Sequence, residues 1–190
     1  MQIWVGLGNP GAQYALHRHN VGFMALDLIA ADRNFSPWKK QFQGWASEGR
    51  IGSEKVLLLK PQTFMNNSGQ SVGEAMRFYK LTPADVTLFH DELDLAPFRV
   101  KVKTGGGTAG HNGLRSTDQH IGPDFRRVRI GIGHPGHKDK VTGYVLGNYT
   151  KAEMDPLADM LAAIGREADW LAQGDDARFM SEIALRLQQA

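Results

Sequence analysis

Gln2-Ile3-Trp4-Val5-Gly6-Leu7-Gly8-Asn9-Pro10-Gly11 decides which α/β fold this chain can adopt. Its first six residues form a short apolar run, the composition of a strand buried on both faces. From Gly6 to Gly11 the letters match the dinucleotide-binding pattern G-x-G-x-x-G. That pattern needs a helix opening at the glycines and a second strand bearing an acidic residue about 20 positions on. Here Asn9-Pro10-Gly11 reads as a turn, and the next periodic segment, Val21 to Ala31, is helical, so no strand presents Asp27 or Asp32 to a ribose. The stretch is therefore read as strand, turn and helix, with nucleotide binding kept as a minor alternative.

Working outward, Tyr14-Ala15-Leu16-His17-Arg18-His19-Asn20 lies between turn and helix. Asn20 is a good N-cap, which places His19 just outside the helix N-terminus, where the helix dipole favours the neutral imidazole. A neutral imidazole suits a general base; the plain alternative is a surface histidine. Lys55 to Lys60 forms a second strand and runs into the polar loop Pro61 to Gly69. A helix follows, with Val72, Ala75, Met76 and Tyr79 on one face. Asn66, Asn67 and Ser68 either cap that helix or offer amides to a peptide group or an oxyanion. Val86 to His90 is a third strand, ending in Asp91-Glu92-Leu93-Asp94. Carboxylates at a strand end either bind a metal or orient a base, and no standard zinc or calcium spacing is present. Arg127 to Gly133 gives a further strand, and Met154 to Leu171 and Ala177 to Leu187 read as packing helices. Residues 36–53 are mixed in character and suggest no function. The alternation predicts an α/β fold: a single domain over residues 1–190, with a central mixed, twisted sheet and helices on both faces.

The densest glycine stretch is Gly105-Gly106-Gly107-Thr108-Ala109-Gly110-His111-Asn112-Gly113, ahead of a helix read from Leu114. Glycine is used where φ is positive or where a ligand approaches the main chain. The alternating strand before it, Arg99-Val100-Lys101-Val102-Lys103, makes a binding loop a better reading than a linker. Between Arg99 and Lys140 nine Lys and Arg face three Asp, so this segment is strongly basic while the whole chain carries only +2. Such a block suits a surface that meets phosphates, although paired surface charges are the bland alternative.

With 42% hydrophobic residues, 190 residues can bury one sizeable core. The absence of cysteine excludes disulfides and thiolate metal sites and fits a reducing cytoplasm. No basic leader and no apolar run of the ~18 residues needed to span a bilayer is visible, so a cytoplasmic protein is expected.

Six segments in one order resemble the bacterial peptidyl-tRNA hydrolases across the whole chain: Gly6 to Gly11, Arg18-His19-Asn20-Val21-Gly22, Thr63 to Gly69, His90 to Leu95, Gly105 to Leu114, and Arg129 to Gly136. The resemblance implies a cytoplasmic monomer that uses water, without metal or cofactor, to cut the ester between a peptide and its tRNA after stalled translation. By position, His19 is similar to the base that deprotonates the water, Asp91 to the acid that orients its imidazole, and Asn9 to a residue that helps place His19 and the substrate. Asn66 and Asn112 are similar to amides that hold the peptide main chain, with Tyr14, Phe64 and His111 as further substrate contacts. Lys101, Lys103 and Arg129 resemble phosphate contacts for the acceptor stem.

The chain departs from that pattern at His17, where Thr is common, at Thr108, where His is common, and at Ala96-Pro97-Phe98, where Pro-Pro-Gly is usual. Phe98 is expected to change its loop, because phenylalanine does not readily take glycine's conformations. Two rival readings remain: a nucleic-acid binding module without chemistry, and a metal-dependent hydrolase built on His17, His19, Asp91, Asp94 and His111.

Overall fold

The apolar runs become the middle of a seven-stranded sheet in the computed structural model, which describes residues 1–189. Strands β1 (Gln2–Gly6), β4 (Glu54–Pro61), β5 (Val86–Glu92) and β7 (Arg126–Gly131) are parallel and adjacent in the order β4-β1-β5-β7. Two antiparallel strands, β2 (Lys39–Gln41) and β3 (Gly44–Ile51), extend the β4 edge. Strand β6 (Val100–Thr104) extends the other edge, antiparallel to β7. The mixed sheet is as predicted; the β2–β3 pair is new, because residues 36–53 carry neither clear alternation nor a short hairpin signal.

Alternation along the strands divides the core into two layers. Trp4, Leu58, Phe89, Val128 and Ile130 face one way. They pack under α1 (Val21–Asp32), α5 (Met154–Arg166), α6 (Ala168–Ala172) and α7 (Asp176–Gln189). Ile3, Val5, Leu57, Leu59 and Leu88 face the other way, against α2 (Ser68–Phe78) and α3 (Asn112–Ile121). Helices thus cover both faces. The single helix read from Met154 to Leu171 is broken at Glu167, and the predicted start at Leu114 moves back to Asn112.

The chain leaves β1 for α1 on one face, whereas the segment after β5 reaches α3 on the other. Parallel strands whose connections diverge in this way open a crevice beyond their carboxyl ends. Close packing brings α1 down onto that point. A Cβ on Gly22 would lie 2.3 Å from the Phe89 carbonyl oxygen, so only glycine lets the helix sit against β1 and β5.

Candidate active site

A cleft of about 850 Å³ opens where β1 and β5 end. Asn9, Tyr14, His19, Phe64, Asn66, Asp91, Lys103, His111, Asn112 and Arg129 all line it. Of the site residues expected from sequence, only Lys101 lies outside its lining.

Asp91 is the hub. It is the penultimate residue of β5, a strand buried on both faces, and is itself 4% exposed. His19 Nδ1 lies 2.9 Å from its Oδ2 and His111 Nε2 lies 2.8 Å from its Oδ1, so each carboxylate oxygen has its own imidazole. Burial alone would raise the Asp91 pKa; the charges and hydrogen bonds of His19 and His111 reverse this and hold it well below the ordinary carboxylate range. The carboxylate stays ionised in a dry place.

Hydrogen bonding fixes the protons on both rings. His111 is the N-cap of α3, its Nδ1 accepting from the amides of Gly113 at 3.1 Å and Leu114 at 3.3 Å. A neutral His111 therefore carries its proton on Nε2, which donates to Asp91. Gly113 permits this tight turn: a Cβ there would meet the Met65 sulfur at 2.5 Å. His19 faces Asp91 through Nδ1, so Nδ1 is its donor and Nε2 keeps a lone pair when the ring is neutral.

Two expectations about this turn are corrected. Asn20 makes no side-chain cap, because a one-turn 3-10 helix, Arg18–Asn20, runs straight into α1. Its amide instead clamps Asn9: Oδ1 accepts from the Asn9 amide and Nδ2 donates to the Asn9 carbonyl, both at 2.9 Å. Nor does the site shift His19 toward its neutral form. Burial works against its charge, but the Asp91 carboxylate outweighs burial and the pKa rises above 6.5.

Asn9 is held from a second side, its Oδ1 accepting from the Met65 amide at 2.7 Å, which leaves its Nδ2 as the free donor. Asn66 and Asn112 are exposed on the cleft walls. Phe64 has φ 62 and its ring is 54% exposed at the rim. Tyr14 also lines the cleft, edge-on to His17 at 5.2 Å between ring centres. His90, read only as a strand residue, is buried beside His111. Its Nδ1 donates to the Asp91 carbonyl at 2.8 Å. Burial and then His111 push its pKa down to about 4, so it stays neutral.

The basic strand also has a physical order. Lys101 pairs in register with Arg129 and Lys103 with Arg127, so the four cations share one face of the β6–β7 edge while Val100, Val102, Val128 and Ile130 face the core. Arg129 is paired to Glu92 at 3.1 Å, whereas Lys103 is exposed. Sequence assigned no separate role to Arg127. It is 1% exposed and donates to the carbonyls of Gly106, Gly107 and Pro123, fixing the glycine loop over the cleft. Lys138, likewise unassigned, reaches the cleft rim.

The metal reading is only partly assembled. Ligand atoms of His19, Asp91 and His111 lie within 4.8 Å of one another, but His17 and Asp94 are not among them. The loop departure at Phe98 also resolves differently from the expectation. Phe98 does adopt the left-handed conformation, at φ 67, and its ring stacks on Tyr149. Packing offsets a backbone strain of order 1–3 kcal/mol.

An α/β crevice lined by an imidazole with a free nitrogen, a buried carboxylate and several amides is the site of a hydrolase. The family model described as peptidyl-tRNA hydrolase matches residues 3–190. Among curated relatives, a peptidyl-tRNA hydrolase of Rhizorhabdus wittichii is 81% identical over 187 residues, covering 98% of this chain and 99% of that protein. One from Erythrobacter litoralis is 76% identical, covering 99% and 100%. The crystal structure of peptidyl-tRNA hydrolase from Acinetobacter baumannii superposes with a TM-score of 0.90 at 42% identity, covering 96% of this chain and 94% of that one. This chain belongs to the peptidyl-tRNA hydrolase family, and its activity is hydrolysis of the ester that joins peptide to tRNA.

Proposed function

We propose that His19 is the general base of this hydrolysis. The observation that carries the reading is the asymmetry around Asp91: His19 keeps Nε2 free, while His111 uses both ring nitrogens. Nε2 of neutral His19 takes a proton from water as the water attacks the ester carbonyl. Asp91 holds the ring by Nδ1 and stabilises the imidazolium that forms, without itself being protonated. The imidazolium then returns the proton to the leaving ribose oxygen. His111 holds Asp91 from its other side.

The amides of Asn9, Asn66 and Asn112 suit the rest of the substrate, because every peptide offers main-chain N–H and C=O whatever its side chains. One such donor aimed at the oxyanion lowers the barrier by about 3 kcal/mol. Phe64 and Tyr14 offer apolar surface at the cleft mouth. Lys103, Lys138, Lys101 and Arg129 lie on the side where phosphates of the acceptor stem would pass; Arg129 contributes least free charge because Glu92 already holds it. A monomer acting on stalled peptidyl-tRNA is consistent with one complete cleft in one chain. No described helix is long and apolar enough to cross a membrane.

Donor chemistry disfavours the metal-dependent alternative. To ligate through Nε2, His111 would have to give up the proton it donates to Asp91 while its Nδ1 still accepts two amides, which requires an imidazolate. Peptide release from peptidyl-tRNA, followed with and without EDTA, tests the reading. Undiminished turnover in EDTA is expected; loss that zinc or manganese restores would replace it with the metal enzyme, and binding without release would leave only a binding module.

A further inference from the structure

The turn Arg18–Asn20 that carries His19 is anchored at both ends. Asn20 clamps Asn9 beneath the cleft, and Arg18 reaches the opposite way into the segment 141–149. That segment supplies Val141, Thr142, Val145 and Leu146 to the cleft wall. Arg18 is 8% exposed. Its Nη2 donates to Glu153 Oε1 at 2.9 Å and its Nη1 to the Tyr144 carbonyl at 3.3 Å. The guanidinium carbon Cζ lies 4.3 Å from the centre of the Tyr144 ring and 5.7 Å from that of Tyr149. Main-chain bonds run beside it, from the Arg18 amide to Gly147 and from the Tyr149 amide to Leu16, both at 3.0 Å. A Cβ on Gly147 would come within 3.2 Å of Nη1, so the wall is shaped to admit the guanidinium.

We propose that Arg18 is a positioning residue for hydrolysis: it locks the cleft wall 141–149 to the turn bearing His19, so that the wall sets where the imidazole meets the attacking water. This rests on His19 being the base. Displacement of a base by about 1 Å can cost 10²-fold in rate, and a one-turn helix has little stiffness of its own. The role needs arginine: a planar fork can stack on Tyr144 and still donate to two acceptors, whereas a lysine ammonium keeps only the ion pair with Glu153.

Arg18→Lys and Arg18→Met separate this role from simple stabilisation. Turnover per folded molecule, KM, melting temperature and the acidic limb of the kcat profile are measured on the full chain with peptidyl-tRNA, and His19→Ala is the control. That limb reports His19, which Asp91 faces from β5 and His111 from the glycine loop, its ring 5.0 Å away. Arg18→Lys is expected to keep a near-normal melting temperature and KM but to lose about tenfold in kcat. Arg18→Met is expected to lose about 10²-fold in kcat, of the order a misplaced catalytic group costs, and to move the acidic limb. A kcat per folded molecule and an acidic limb unchanged in Arg18→Lys would overturn the proposal, whether or not Arg18→Met folds. Full turnover by His19→Ala would instead overturn the base assignment itself.

Discussion

The turn at Arg18–Asn20 and the loop ending at His111 each bring an imidazole to Asp91, at 2.9 Å and 2.8 Å. What differs is the structure behind each ring. His111 closes the first turn of α3, so its second nitrogen is spent on backbone amides, and the ring is a structural member that happens to touch the carboxylate. His19 sits in a turn whose neighbours do the anchoring, Arg18 on one side and Asn20 on the other, and its second nitrogen faces the cleft with nothing to do. Two residues of one type, bound to one carboxylate, are thereby given different chemistry by the elements that carry them.

The largest effect expected from breaking this comparison is at His19. His19→Ala should lose 10²- to 10⁴-fold in kcat, the usual contribution of a positioned base, while keeping its fold; initial rates on peptidyl-tRNA and circular dichroism check both halves. Asp91→Asn comes next. It should lose about 10²-fold, less than His19→Ala, because the ring loses its orientation and the stabilisation of its charge but keeps a basic nitrogen.

His111 sharpens the contrast from the other side. Asparagine is itself a good N-cap, so His111→Asn should leave the melting temperature nearly unchanged and lose only about tenfold in kcat, an amount below that of a catalytic base. His111→Ala should add about 1 kcal/mol of destabilisation from the lost cap, read by denaturant unfolding. A loss of activity in His111→Asn equal to that in His19→Ala would end the distinction. The smallest effect is at the phosphate side. Lys103→Ala should raise KM for full-length peptidyl-tRNA more than for a short nucleotidyl peptide, and should reduce the salt slope by about one contact.

Much of the fold was legible because it is written in local patterns. The runs at Gln2, Lys55 and Val86 are apolar, short and bounded, the run at Arg127 alternates arginine with Val128 and Ile130, and all four became the parallel strands of the sheet. The β2–β3 pair was not legible, since its residues are partly exposed and of mixed polarity. At the site, sequence order and family resemblance pointed to His19 and Asp91, but nothing local relates two residues 72 positions apart. The roles of Asn20, Arg18 and Arg127 were hidden for the same reason. Asn20 looks like an N-cap by rank, yet its partner is the backbone of Asn9, and a buried pairing across the crevice overrode the local preference.

The opposing pKa shifts of the central pair give it two pH windows. His19 is raised above 6.5, so its charged contact with Asp91 stabilises the fold below that value and is lost as pH rises through the folded pKa. Asp91 is lowered, so its contribution is present above the ordinary carboxylate value of 3.8 and is lost as pH falls through the folded pKa. With His19 as the base proposed above, activity is predicted to run opposite to its stability term, because only the neutral ring accepts a proton.

The most direct test is therefore the pH dependence of kcat/KM for the native protein and for Asp91→Asn. The native profile is predicted to rise through a single basic group with an apparent pKa above 6.5, and that limb is predicted to move to lower pH when the Asp91 carboxylate is neutralised. A native limb at or below 6.5, or one that stays in place in Asp91→Asn, would contradict the assignment of His19 as the base steered by Asp91.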